Sequence, residues 1–178
     1  LHPKIHAGIL YKRNNKKHLK EIKKNNFENI DLVIVNFYPF KKTLVETKNH
    51  NKIIENIDVG GPTMVRSAAK NYNDVTVITS TEQYLELINE LKIYKGSTSL
   101  NFRRKMAQQA FTETAYYDSL ISDYFNKISN TQFPQKKIIH SHLLEKLRYG
   151  ENPHQQGAIY ALNNNLKIKK LHGKQLSY

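Results

Sequence analysis

The run Ile30-Asp31-Leu32-Val33-Ile34-Val35-Asn36 constrains this chain more than any other stretch. It is almost uninterrupted in aliphatic and β-branched residues, the pattern of a strand buried on both faces of a parallel sheet. Phe37-Tyr38-Pro39-Phe40 follows at once, and Pro39 stops the strand. A second β-branched run, Val75-Thr76-Val77-Ile78, returns after a stretch with helical periodicity. Strands alternating with helices imply a parallel α/β layer. Ligands of such sheets gather at the carboxyl ends of the strands. Tyr38 and Asp58 both fall at or just past inferred strand ends.

The helical periodicity places further elements. Residues 2–24 read as helical, with a break near Lys12 to Asn15, and residues 49–56 read as a short helix. Thr79-Ser80-Thr81-Glu82 carries helix-start signals, and Tyr84, Leu85, Ile88 and Leu91 continue an apolar face to about residue 92. A long helix over about 99–129 is predicted from Phe102, Met106, Ala110, Thr114, Tyr117, Ile121, Tyr124 and Ile128, which read as one core-facing stripe.

The pattern changes after Asn130. Thr131 to Lys137 is a polar, proline-containing linker. Beyond it come Ile138 to Leu147 and two strand-like runs, Ala158 to Leu162 and Leu166 to Leu171, joined by an Asn163-Asn164-Asn165 turn. The expected organisation is therefore 1–130, a linker at 131–137, and 138–178. That last part is too short for a secure core of its own and reads as the first piece of a second domain. The chain opens on Leu1 and ends on Tyr178 with no closing element, so both ends read as cut from something longer.

The stretch from Ile57 to Asn71 holds the densest chemistry. Gly60 and Gly61 can bring bare backbone close to a ligand, Pro62 suits the first helical position, and a helix start behind glycines is a ready anion site. Thr63, Arg66 and Lys70 recur at helical spacing, while Met64, Val65, Ala68 and Ala69 form a face small enough to lie flat on a sheet. Asp58 precedes the turn, so it and Lys70 are candidates to border one pocket.

Composition narrows the function classes. The chain has 178 residues and a net charge of +13, carried mostly by lysines spread along its length. That scatter reads as solvated surface rather than a focused nucleic-acid footprint. There is no cysteine, so disulfides, thiolate catalysis and Cys-ligated metals are excluded. No apolar run approaches the ~20 residues of a membrane helix, and a cytoplasmic location is expected. His2 and His6 stand at i, i+4, but no third ligand at motif spacing accompanies them, so no metal site is expected.

Several blocks together resemble the bifunctional AICAR transformylase/IMP cyclohydrolase family of purine synthesis. They are Leu1 to Leu10 with its Leu-His-Pro-Lys-Ile-His, Asp31 to Phe40, Glu55 to Asn71, Ala110 to Asp118, Leu147-Arg148-Tyr149-Gly150-Glu151-Asn152-Pro153-His154-Gln155, and Gly173 to Tyr178. The resemblance implies a methylglyoxal-synthase-like parallel α/β sheet flanked by helices (incomplete) over 1–130, followed by the start of an α+β transformylase domain. It implies closure of a formylated aminoimidazole carboxamide ribotide, FAICAR, to IMP without a cofactor, and formylation of AICAR from 10-formyltetrahydrofolate at a folate site outside this chain. It further implies a homodimer, and that the chain alone is inactive.

The resemblance makes Lys70, Asp58 and Tyr38 the candidate catalytic residues. Asp58 and Lys70 are expected as proton-handling partners, and Tyr38 as the hydrogen-bonding group for the formyl oxygen. Val35, Asn36, Val59, Gly60, Gly61 and Thr63 are expected to line the substrate. Arg148 and Tyr149 match an AICAR-contacting pair; His154 and Lys174 fall in matching blocks with less definite roles. Glu113 stands where the family commonly has His. Two other classes stay open on the residues alone: a non-catalytic effector-binding domain of the methylglyoxal-synthase-like class, and a basic nucleic-acid-binding module.

Overall fold

The computed structural model describes residues 2–162 and 171–177. The chain divides into two compact units, Leu1–Tyr124 and Phe125–Tyr178.

In the first unit, helix α1 (Pro3–Leu10) and helix α2 (Lys16–Lys24) match the expected break. The His2 ring nitrogen accepts from the Lys4 amide and caps α1, and the Asn15 side chain does the same for α2. Gly8 is required where α1 crosses the chain ahead of the sheet: a Cβ there would lie 2.6 Å from the Glu28 carbonyl oxygen. Arg13 fastens the α1–α2 link to the sheet by donating to the carbonyls of Tyr11 and Ile30 and to the Asp31 carboxylate, at 2.8, 2.9 and 3.0 Å.

Strand β1 (Leu32–Ile34) pairs in parallel with β2 (Thr76–Ile78), with Leu32 opposite Thr76, Val33 opposite Val77 and Ile34 opposite Ile78. The Thr76 amide bonds the Asp31 carbonyl and the Val35 amide bonds the Ile78 carbonyl, extending the ladder at both ends. β2 is buried throughout. β1 is not buried on both faces as its composition suggests: Val33 is buried, but Leu32 and Ile34 are 38% and 46% exposed. They alternate to the face opposite Val33, and among the described residues β1 has no partner strand besides β2.

Three helices cross between the strands: α3 (Phe40–Glu46), α4 (His50–Glu55) and α5 (Gly60–Lys70). α3 has no counterpart in the sequence reading. α5 lays Val65, Ala68 and Ala69 on the sheet, each 1% exposed or less. The alanines permit close approach, and full burial of Val65 contributes about 1.5–3 kcal/mol. The helix starts at Gly60, so Pro62 stands third rather than first. Its missing N–H costs little there, because first-turn amides have no intrahelical acceptor.

After β2, a 3-10 turn (Thr81–Gln83) with a Ser80–Gln83 capping box leads into α6 (Tyr84–Ile93). The long α7 (Leu100–Ile128) follows. Phe102, Met106, Ala110, Thr114 and Tyr117 of its stripe are buried, whereas Ile128 is 48% exposed. One core cluster joins α1, α5, β1, β2, α6 and α7; a second joins Phe40, Ile53 and Tyr117.

In the second unit, β3 (His142–Lys146) pairs antiparallel with β4 (Ala158–Ala161), with an irregularity between Leu143 and Glu145. The Asn163 to Asn165 turn and most of the run at 166–171 lie outside the described residues; the described partner of β4 is β3. Leu176 accepts from the Arg148 amide at 2.7 Å and the Gln175 amide group donates to the Lys146 carbonyl at 2.7 Å, so residues 175–177 run beside the end of β3. Among the described residues, no helix is long and apolar enough to cross a membrane.

Candidate active site

The parallel pairing brings the carboxyl ends of β1 and β2 to one edge, and a cleft of about 340 Å³ opens there. Its walls are the segment from Asn36 to Lys41 after β1, the Thr79-Ser80-Thr81 segment after β2, and one side of α7 with Glu113, Tyr116, Tyr117 and Leu120. This is where an open α/β sheet places a ligand. Phe37, Tyr38, Phe40, Tyr116 and Tyr117 make the walls strongly aromatic, which suits a planar ring.

Asp58 makes three hydrogen bonds, two of them to the cleft residues Tyr38 and Tyr117. Its Oδ1 accepts from the Gly61 amide at 2.8 Å, its Oδ2 accepts from the Tyr38 amide at 3.4 Å, and its own amide donates to the Tyr117 hydroxyl at 2.8 Å. The anion at the start of α5 is thus the Asp58 carboxylate itself. The bare N–H of Gly61 is occupied from within the chain, which corrects the expectation of an open anion site at that turn. The two glycines also differ. A Cβ at Gly61 would meet Asp58 Oδ2 at 2.5 Å, whereas one at Gly60 would meet nothing within 4 Å.

The expected site residues separate accordingly. Tyr38 and Asp58 come together through the Tyr38 backbone, Asn36 lines the cleft, and the Val35 amide is bonded to Ile78. Tyr38 is 56% exposed, leaving its ring open to the cleft. Val59, Gly60 and Thr63 form the first turn of α5 beside Asp58; the Thr63 hydroxyl is turned inward to the Val59 carbonyl at 2.7 Å. Lys70 is not brought to Asp58. It is the exposed last residue of α5, and at 1.5 Å per residue it stands roughly 15 Å along the helix from Gly60. Direct proton exchange between that pair does not fit this geometry. Lys70 instead shares a helical face with Thr63 and Ser67, where the Ser67 hydroxyl lies 3.4 Å from His6 Nδ1.

Arg66, left outside the candidate site, sets its guanidinium 5.8 Å from the Phe111 ring centroid. His2 and His6 serve α1 and its contact with α5; among the described residues no group of three or more His, Cys, Asp or Glu side chains is placed to hold a metal. Arg148 and Tyr149 stand in the second unit. The guanidinium lies 4.9 Å from the Tyr149 ring centroid and donates to its hydroxyl at 3.1 Å. Hydrogen bonding from Ser177, then from Arg148, holds the Tyr149 phenol below its ordinary range.

Of the cleft residues only Asn36 and Tyr38 were site candidates on sequence; those it left out include Lys41, Glu113, Tyr116 and Tyr117. Glu113 is exposed at its rim, yet burial of its carboxyl raises it above the usual carboxylate range. Tyr117 was legible only as part of the α7 stripe. Burial raises its phenol as well, ahead of the opposing hydrogen bond from Asp58.

Comparison with known proteins gives this arrangement a lineage. The family described as AICARFT/IMPCHase bienzyme matches residues 68–178, and the MGS-like domain matches residues 3–63. The chain is 44% identical over its whole length to the bifunctional purine biosynthesis protein PurH of Elusimicrobium minutum, of which it covers 35%. It is 50% identical, again over its whole length, to the protein of the same name from Prochlorococcus marinus, of which it covers 34%. The chain therefore spans about a third of the length of these relatives. A solved structure titled "Crystal structure of ForH" superposes with a TM-score of 0.57 at 29% identity, over 70% of this chain and 65% of that one. With more than half its length matched and its strand-end cleft built from the matched segments, the chain belongs to the AICARFT/IMPCHase bienzyme family.

Proposed function

We propose that this chain takes part in closing FAICAR to IMP with loss of water, in a protein that also formylates AICAR from 10-formyltetrahydrofolate. The observation that supports this best is the aromatic cleft at the carboxyl ends of β1 and β2, bearing Tyr38 with Asp58 bound to its backbone. Residues 1–130 are assigned to the cyclohydrolase portion and 138–178 to the beginning of the transformylase portion, with 131–137 between them.

In ring closure the carboxamide nitrogen attacks the formyl carbon. A C–N bond forms, the nitrogen loses a proton and the formyl oxygen gains one. The resulting hydroxyl then leaves as water, taking a proton from a flanking ring nitrogen. No electrons are transferred, so the balance needs no redox cofactor. The amide is a weak nucleophile, so positioned proton acceptors and hydrogen-bond donors carry the catalysis, with orientation of the two reacting groups contributing much of the rate.

In this reading Asp58 handles a proton, the Tyr38 hydroxyl bonds the formyl oxygen, and Val35, Asn36, Val59, Gly60, Gly61 and Thr63 border the base and ribose. Lys70 is assigned a cationic role of its own at the far end of α5, not a partnership with Asp58. Arg148 and Tyr149 are assigned to AICAR, with the folate held by residues outside this chain. The reading carries with it a cytoplasmic homodimer.

The test is direct. The full-length protein is incubated with FAICAR alone and IMP is followed by absorbance. Turnover without added folate is expected, and its absence would overturn the reading.

A further inference from the structure

We propose that Tyr117 is a positioning residue for ring closure, one that sets the place of Asp58 and, through it, of Tyr38; the inference rests on the cyclohydrolase reading above. The Tyr117 hydroxyl sits on α7 and reaches the segment before α5, accepting from the Asp58 amide at 2.8 Å and donating to the Asn56 carbonyl at 3.4 Å. Tyr117 is 4% exposed. It is held by Phe37 at 5.1 Å and Phe40 at 6.1 Å between centroids, the residues flanking Tyr38-Pro39.

One buried side chain therefore touches both segments that meet at Asp58. The ring packs on the Tyr38 segment and the hydroxyl fixes the Asp58 segment, while the Asp58 carboxylate joins that segment to the Tyr38 amide. A phenol is protonated at neutral pH, and burial raises this one further, so it can donate and accept at once. A hydroxyl so engaged is not offered to a ligand; it acts through Asp58. Displacing a reacting group by about 1 Å can cost on the order of a hundredfold in rate.

The test uses the full-length protein and the substitution Y117F, which keeps the ring against Phe37 and Phe40 and removes only the hydroxyl. kcat for FAICAR cyclisation is expected to fall about ten- to a hundredfold, with KM changed less than about threefold by the same misplacement of a catalytic rather than a binding group. In the double variant with Asp58→Asn, Y117F is expected to add no further loss, because it acts through that carboxylate. Independent multiplied losses, an unaffected kcat in Y117F, or an unaffected kcat in Asp58→Asn would each overturn the inference. Hydrogen exchange decides it apart from activity: the Asp58 and Gly61 amides should exchange about fivefold faster in Y117F, the loss of one hydrogen bond, while the Val77 amide of β2 is unchanged. Unchanged exchange at Asp58 and Gly61 would overturn the positioning role. A wild-type protein that makes no IMP would overturn the cyclohydrolase reading instead.

Discussion

Gly61 and Asp58 are fitted to each other: the carboxylate accepts from the Gly61 amide at 2.8 Å, and a side chain on Gly61 would begin 2.5 Å from the other carboxylate oxygen. Gly61→Ala should therefore break the cap and push Asp58 off the Tyr38 amide. The expected cost is about 1–2 kcal/mol, partly offset by about 0.5–1 kcal/mol of helix propensity. Gly60→Ala meets open space and should be neutral or slightly stabilising. Denaturant unfolding of the two variants compares them; equal effects would contradict the fitted cap.

Asn71 closes the other end of α5. Its side chain, in a residue 6% exposed, donates to the carbonyls of Ile9 and Tyr11 at 2.8 and 3.1 Å, satisfying the end of α1. Asn71→Ala should cost about 1–3 kcal/mol through the stranded carbonyls. Asn71→Asp should cost at least as much, since it turns a donor into an acceptor facing two acceptors. An aspartate variant as stable as the parent would show that the amide is not oriented as described.

These two contacts mark how far the sequence could be read. The alternation of β-branched runs and helical periodicity located both parallel strands and the helices from α4 to α7, because each signal is local. α3 was missed: Lys41, Lys42 and an 85% exposed Val45 give it no apolar stripe, and only Phe40 and Thr43 are buried. The burial of β1 was overstated because composition reports hydrophobicity and not which face a neighbour covers. Asp58 and Tyr38 were singled out from their blocks and lie within one hydrogen bond of each other, whereas Lys70, already the more remote member of the expected Asp58–Lys70 pair in sequence, stands roughly 15 Å along α5 from Gly60. The role of the Tyr117 hydroxyl depends on a contact 59 residues away in sequence, and a buried aromatic at core spacing gives no sign of it.

Glu113 supplies a pH-dependent effect. Its carboxyl is raised above the ordinary 4.5 by burial, so the folded state holds that proton more tightly than the unfolded state. The associated stability is present below about pH 4.5 and is lost as pH rises through the raised folded value. Glu113→Gln should therefore match or exceed the parent in thermal stability at pH 7, and the difference should shrink towards zero near pH 4, as the linkage requires. A variant less stable at pH 7 than at pH 4, relative to the parent, would contradict the burial.

Tyr149 reports on the second unit. Its phenol is lowered first by hydrogen bonding from Ser177 and then by the Arg148 bond and charge. Ser177→Ala should move its titration back up towards 10.0, read by carbon NMR of labelled tyrosine. An unmoved titration would show that residues 175–177 are not held beside the end of β3.

The proposed ring closure at the β1–β2 cleft has Asp58 handle a proton. The most direct measurement is kcat for FAICAR cyclisation by full-length Asp58→Asn beside its rate of AICAR formylation. Cyclisation is expected to fall by about a hundredfold or more, the scale of a lost acid–base group, with formylation within about twofold of the parent because Asp58 is assigned no part in that reaction. Undiminished cyclisation, or an equal fall in both activities, would contradict the account.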